Sequence, residues 1–238
     1  MKKAIVIGAS SGIGRELAKI LYQNQYLVGV MARRVHLLEE LRNELENELF
    51  IQEIDVADAE SAMVTFAKLI EKMGGVDLVV ISAGTGHLNA KLDWLLENEA
   101  IKTNVAGFAA IANVAVQHFL RKGSGHLVGI SSIAALRGSR EAPAYNASKA
   151  FESNYLEGIR QKIRNMGLPI TITDIKPGFV KTAMAKGEGI FWAADASKAA
   201  MQIFKAIKQR KSSAYITRRW KLVAWIIKLL PGFIYERL

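Results

Sequence analysis

The chain has 238 residues, half of them apolar, and no cysteine, so it can bury a large core but can neither form disulfides nor use a thiol, which suits a reducing cytoplasm. Of its formal net charge of +10, the segment from Lys205 onward carries +8, nine basic residues against one acidic, leaving +2 for the first 204 residues. A nearly neutral body argues against a general nucleic-acid surface, and no apolar run approaches the roughly 20 residues of a membrane-spanning helix.

In chain order, Met1-Lys2-Lys3 followed by Ala4-Ile5-Val6-Ile7 imitates the start of a signal peptide, but Gly8 and Ser10 end the apolar run too early. Residues 4–8 are expected to form a buried first strand. Gly8-Ala9-Ser10-Ser11-Gly12-Ile13-Gly14 comes next and leads into helical periodicity over 12–24. Strand, glycine turn and helix together let backbone approach a pyrophosphate whose charge the helix N-terminus favours. The spacing is G-x-x-x-G-x-G rather than the commoner G-x-G-x-x-G. A second strand over 27–32 ends at Arg33-Arg34. An acidic residue there would accept from a ribose hydroxyl; two guanidinium groups instead favour a 2′-phosphate, hence NADP(H) over NAD(H).

The alternation continues with helices over 35–47, 58–73, 97–121, 144–166 and 195–209, and strands over 49–55, 77–82, 126–131, 170–175 and 213–216. Asp55-Val56 closes the third strand and Ser82-Ala83-Gly84 the fourth, both beyond the carboxyl ends where open sheets bind ligands. The pattern predicts a single-domain α/β fold, a Rossmann-type doubly wound parallel sheet with helices on both faces.

Tyr145 and Lys149 open the helix over 144–166, and their spacing of four puts them on one face. A tyrosine ordinarily titrates at about 10; a neighbouring ammonium favours the phenolate, which makes the pair a candidate acid/base. The histidines, His36, His87, His118 and His126, share no ligand spacing, so no metal is expected. Residues 218–230 read as a helix stopped by Pro231-Gly232. Lys221 and Lys228 share a stripe, and Trp220, Val223, Ile226, Ile227 and Leu230 a broad apolar face. Such a helix suits either packing on the body or lying in a membrane interface. The organisation expected is a catalytic domain over 1–217 and a basic, apolar extension over 218–238.

These motifs in this order resemble the short-chain dehydrogenase/reductase family, from about residue 3 to about residue 210. The resemblance implies that Gly8, Ser10, Ser11, Gly12, Ile13 and Gly14 bind a pyrophosphate, Arg33 and Arg34 a 2′-phosphate, and Asp55 and Val56 the adenine. Ala83 and Gly84 match the family's Asn-Ala-Gly, with Ser82 in place of its Asn. It further implies a catalytic set of Asn104, Ser132, Tyr145 and Lys149. Ser132 is chosen over Ser131 because the family's serine lies thirteen residues before its tyrosine. Lys149 would lower the tyrosine pKa and hold the nicotinamide ribose, and Asn104 would order a water for proton return. Pro177, Gly178, Val180 and Thr182 match the segment that fixes the nicotinamide. A substrate lid would lie near 182–200, hinged at Gly187-Glu188-Gly189 before Phe191-Trp192. The family's activity would be hydride transfer between nicotinamide and a carbonyl or secondary alcohol, in a homo-oligomer; apolar lid residues and a lipid-facing tail would suit a hydrophobic or lipid-linked substrate. Two alternatives stay open: a non-catalytic NADP sensor or scaffold, and a sugar epimerase or dehydratase.

Overall fold

The computed structural model describes residues 1–46, 48–182 and 192–237. In chain order the elements are β1 (Lys2–Ile7), α1 (Gly12–Gln23), β2 (Tyr26–Ala32), α2 (Val35–Glu44), β3 (Leu49–Glu53), α3 (Ala59–Lys72) and β4 (Leu78–Ile81). Then come α4 (Trp94–Ala100), α5 (Phe108–Lys122), β5 (Gly125–Ile130), α6 (Pro143–Asn165) and β6 (Ile170–Pro177). The chain continues with β7 (Val180–Lys181), β8 (Ala194–Asp195), α7 (Ala196–Lys208), β9 (Ser213–Ile216), α8 (Trp220–Leu229) and α9 (Gly232–Tyr235).

Seven strands form one sheet in the order β3-β2-β1-β4-β5-β6-β9, and every pairing is parallel. The expected doubly wound sheet is therefore present, with its switch point between β1 and β4, where ligands bind in such sheets. Alternation along β1 divides the core: Ala4 and Val6 join α1, α2 and α7 on one face, while Ile5 and Ile7 join α3, α5 and α6 on the other. Each face stabilises its helices by apolar burial, about 25 cal/mol per Å² removed from water.

Two departures from the expected elements bear on the site. The long helix begins at Trp94, and between α4 and α5 it passes through a π-helical segment, Ile101–Gly107. The tail is a helix over Trp220–Leu229, then a turn at Pro231 and the short α9. Its inward face also differs from the expected stripe: Trp220 and Ala224 are buried, whereas Ile226 is exposed. The helix is apolar almost all round, so periodicity alone could not orient it. Leu230 O accepts a hydrogen bond from Arg137 Nη2 at 3.0 Å, and Tyr235 OH donates to Gly138 O at 2.7 Å. The tail is thereby tied to the loop before α6.

Candidate active site

The glycine turn after β1 meets the turn after β4 backbone to backbone. Gly8 has φ +87, and a β-carbon there would stand 2.4 Å from Ala83 N; one on Gly14 would stand 2.3 Å from Gly8 O. Only glycine permits this closeness. The missing side chains leave a cradle of main-chain N–H groups at the start of α1, which fits a pyrophosphate. Thr182 reaches this turn from far along the chain, its Cγ2 lying 3.0 Å from the position a β-carbon on Gly12 would take. Ile13, half-buried, follows in the same turn.

Arg33 and Arg34 are distinguished by the structure. Arg34 Nη2 donates to Ser10 Oγ at 2.9 Å and Ser11 Oγ at 2.8 Å, fixing its guanidinium over the glycine turn. Arg33, exposed like Arg34, directly follows β2 and makes no such bond to the two serines. Asp55 Oδ1 accepts from Ala57 N at 3.0 Å, shaping the turn beyond β3. Val56 is buried, its carbonyl at 2.1 Å from where a β-carbon on Gly107 would lie.

On the other side of the switch point, three residues of the expected catalytic set, Asn104, Tyr145 and Lys149, converge on Gly84 and Gly86. Asn104 is fully buried in the π-helical segment, a geometry that recurs at functional sites. Its Nδ2 donates to Thr85 O at 2.7 Å and Ser148 Oγ at 2.9 Å, and its Oδ1 accepts from Thr85 N at 2.9 Å. Ser148 Oγ in turn donates to the Tyr145 carbonyl at 2.8 Å. Asn104 thus ties the loop after β4 to the first turn of α6. Gly86 on that loop lies under the tyrosine: a β-carbon there would be 2.6 Å from the Tyr145 ring. Lys149 Nζ lies 5.9 Å from the Tyr145 ring centroid. Both Lys149 Nζ and Asn104 Oδ1 border Gly84, at 3.2 and 3.3 Å from its would-be β-carbon.

The two serines after β5 have separate tasks. Ser131 donates to Ile175 O at 3.0 Å and to Asp174 Oδ1 at 2.5 Å, which commits it to the sheet. Ser132 Oγ accepts from Ala134 N at 3.1 Å and caps the short 3₁₀ turn Ile133–Leu136. That leaves its proton to donate toward a bound oxygen.

Pro177 ends β6, and Gly178 N donates to Ile216 O at 2.6 Å. Gly178 makes room for Trp220, whose ring lies 2.1 Å from the would-be β-carbon. Phe179 and Trp192 meet that ring edge-on, at centroid distances of 5.5 and 6.3 Å, and Val180 is buried in the β7–β8 pair. The tail therefore walls the segment expected to fix a nicotinamide. The hinge at Gly187-Glu188-Gly189, Phe191 and the rest of 183–191, nearly half of the expected lid, lie outside the described residues. Among the described residues no group of three or more His, Asp or Glu is placed to hold a metal ion.

Two parts of the site, Glu152 and Gly86, carry little signal in the sequence. Glu152 pairs with Lys149 through both carboxylate oxygens, at 2.8 and 3.0 Å. Gly86 admits the tyrosine ring, and a single glycine in a loop gives little warning of that. His87, placed by the sequence beside the Ser82-Ala83-Gly84 turn as either a substrate neighbour or an ordinary loop histidine, has its Nε2 3.0 Å from Glu99 Oε2 and 3.2 Å from Thr85 Oγ1. The Lys149–Glu152 spacing of three was the one available signal.

A nucleotide-type cradle facing a tyrosine-lysine pair across the switch point of a doubly wound sheet defines a dehydrogenase-type Rossmann protein. The comparisons specify it further: residues 2–190 match the short chain dehydrogenase family, and the chain belongs to that family of oxidoreductases. An uncharacterized oxidoreductase of Myxococcus xanthus is 39% identical over 188 residues, covering 77% of this chain and 74% of the relative. An alcohol dehydrogenase from Thermococcus sibiricus, solved with 5-hydroxy-NADP, superposes with a TM-score of 0.79 at 25% identity, covering 91% and 96% of the two chains. A Burkholderia phymatum short chain dehydrogenase/reductase in complex with NAD gives a TM-score of 0.83 at 20% identity, covering 94% and 91%. Neighbours of this fold thus bind either nucleotide.

Proposed function

We propose that the chain is an NADP(H)-dependent oxidoreductase that interconverts a ketone and a secondary alcohol, with reduction as its working direction. The observation that carries this reading is the convergence of Tyr145, Lys149 and Asn104 on Gly84 and Gly86, beside the glycine cradle. The nicotinamide, when bound, supplies or accepts the hydride. Ser132 and Tyr145 would donate to the substrate oxygen as it gains negative charge, and Tyr145 would deliver the proton in reduction or remove it in oxidation. Lys149 holds positive charge near the phenol and would bind the ribose. Because the Asn104 side chain is engaged by Thr85 and Ser148, a water for proton return would be held by its main-chain carbonyl. Arg34, steadied by Ser10 and Ser11, would meet the 2′-phosphate, with Arg33 beside it. Asp55 and Val56 would hold the adenine; Pro177, Gly178, Val180 and Thr182 would hold the nicotinamide end.

The test is NADPH absorbance during incubation with carbonyl compounds of graded size and lipophilicity. Net consumption supports the reading. Turnover without net consumption would indicate an epimerase, and binding without turnover a sensor.

The same reading gives residues 1–217 the chemistry and residues 218–238 the placement of the enzyme on the cytoplasmic face of a membrane. The outward face of α8 is apolar: Leu222 is 66% exposed, Trp225 66% and Leu229 73%. Around it Arg218, Arg219, Lys221, Lys228 and Arg237 stand against the single acid Glu236. Apolar surface, tryptophan and positive charge together match an anionic lipid surface, and a lipid-linked substrate would follow. No described helix is long and apolar enough to cross a membrane. The experiment is sedimentation with anionic and zwitterionic vesicles, comparing the wild type with Trp225→Ser/Leu229→Ser. Those two side chains point away from the body, whereas cutting at Thr217 would remove the buried Trp220. Equal pelleting of both proteins removes the idea. Homo-oligomerisation, supported by the exposed Leu92, Trp94 and Leu95 beside α4, would appear as concentration-dependent sedimentation without vesicles.

A further inference from the structure

Beneath the tyrosine-lysine pair lies a buried cluster of four ionisable groups that the proposed chemistry does not use in full. Lys149 is 5% exposed and Glu152 is 0% exposed, and the two are paired through both carboxylate oxygens. From β6, Asp174 and Lys176 face the same space and pair with each other; both are buried. Asp174 also accepts from Ser131 Oγ at 2.5 Å and from Ser153 Oγ at 2.7 Å. From β5, the Ile130 carbonyl accepts from Lys149 Nζ at 3.2 Å. Lys149 thus has two acceptors at its head, and only Glu152 carries charge.

We infer that Glu152 is a positioning residue for Lys149: its carboxylate fixes where the lysine ammonium stands between the tyrosine and the nucleotide cradle. This rests on the oxidoreductase reading above. A buried carboxylate beside an ammonium is not required for the helix, since an apolar side chain would pack there at lower desolvation cost. The carboxylate is useful to the lysine itself. A four-carbon side chain has many rotamers, and a bidentate partner one turn along the same helix selects among them.

Burial pushes Glu152 up to about 7, with Lys149 opposing that rise and Asp174 adding to it. Burial pulls Lys149 down, but Glu152, Tyr145 and Asp174 more than offset it, so the ammonium stays charged. The hold on Lys149 therefore weakens when Glu152 takes up a proton near neutrality. A glutamine at 152 imitates that protonated form at every pH.

The experiment compares full-length wild type with Glu152→Gln, measuring kcat and KM against pH with NADPH and any carbonyl compound the wild type reduces. Below about pH 6 the two proteins should run together, and above about pH 8 the variant's kcat should lie about tenfold lower, one unit of charge interaction. KM for NADPH should move less than kcat. A purely architectural role would lower the variant's rate by the same factor at all pH, and parallel profiles would overturn the inference. The readout besides turnover is thermal. An acid raised in the folded state gives stability present at low pH and lost as pH rises through its folded value. The melting temperature of wild type minus that of Glu152→Gln should therefore fall between pH 5 and 8; a constant difference counts against the inference. If Glu152→Gln does not fold, Glu152→Asp keeps a charged partner and should keep the rise in kcat near neutrality, and its loss overturns the idea. Absence of any wild-type turnover would defeat the oxidoreductase reading alone; NADPH titration then decides for Glu152, since the affinities of the two proteins should coincide below about pH 6 and separate by a few-fold above about pH 8, and a constant ratio would overturn the inference.

Discussion

Replacing Arg34 with alanine should separate the two nicotinamide cofactors. The guanidinium is held over the glycine turn by Ser10 and Ser11 at 2.9 and 2.8 Å, so its rotamer freedom is already restricted before any phosphate arrives. A charge-assisted pair of hydrogen bonds from a fixed guanidinium to a 2′-phosphate contributes about 3 kcal/mol. At 1.4 kcal/mol per tenfold change, NADPH affinity should fall by about 100-fold in Arg34→Ala. NADH has no 2′-phosphate, and its affinity should change by less than about threefold, within the spread of surface substitutions. Arg33→Ala, at a position without the serine anchors that hold Arg34, should cost NADPH less than about tenfold. The assay is fluorescence titration of each purified protein with NADPH and NADH. Equal losses for both cofactors in Arg34→Ala would refute the phosphate contact and leave Arg34 as a brace for the turn.

Two further outcomes follow from packing and burial. Gly14→Ala places a β-carbon 2.3 Å from Gly8 O; forcing main chain apart should cost about 1–3 kcal/mol of stability and abolish measurable NADPH binding, checked by urea unfolding and titration. His126 is buried, accepts or donates at 2.8 Å to Thr173 Oγ1, and burial with Arg210 nearby lowers it from 6.5 to about 4. Its neutral form therefore gives stability present above about pH 6.5 and lost as pH falls toward 4, of order 3 kcal/mol. Wild type should lose that stability relative to His126→Gln between pH 7 and 4, and parallel pH curves would contradict it.

Much of this architecture was readable from the residues. The alternating elements and the continuous apolar strands specify a parallel sheet, and the glycines mark the turn because Gly8 and Gly14 touch backbone where no β-carbon fits and Gly12 takes a positive φ. Other features depend on three-dimensional neighbours. The π-helical segment around Asn104 has no propensity signature, since it is one extra residue per turn in an otherwise helical run. Arg33 and Arg34 are indistinguishable until the strand's exit angle turns one toward Ser10 and Ser11. Glu152 looks like an ordinary surface acid on α6 until Asp174 and Lys176 arrive from β6, more than twenty positions away. The tail's inner face could not be chosen because apolar side chains surround the helix; Gly178, which leaves space for Trp220, makes that choice.

The most direct test of the central claim is Tyr145→Phe, assayed with NADPH and a ketone that the wild type reduces. General acid catalysis by a positioned side chain contributes about 10²–10⁴-fold, so turnover should fall by that factor or more while NADPH still binds with near wild-type affinity. A variant that keeps near-normal turnover would contradict the assignment of Tyr145 as the proton donor.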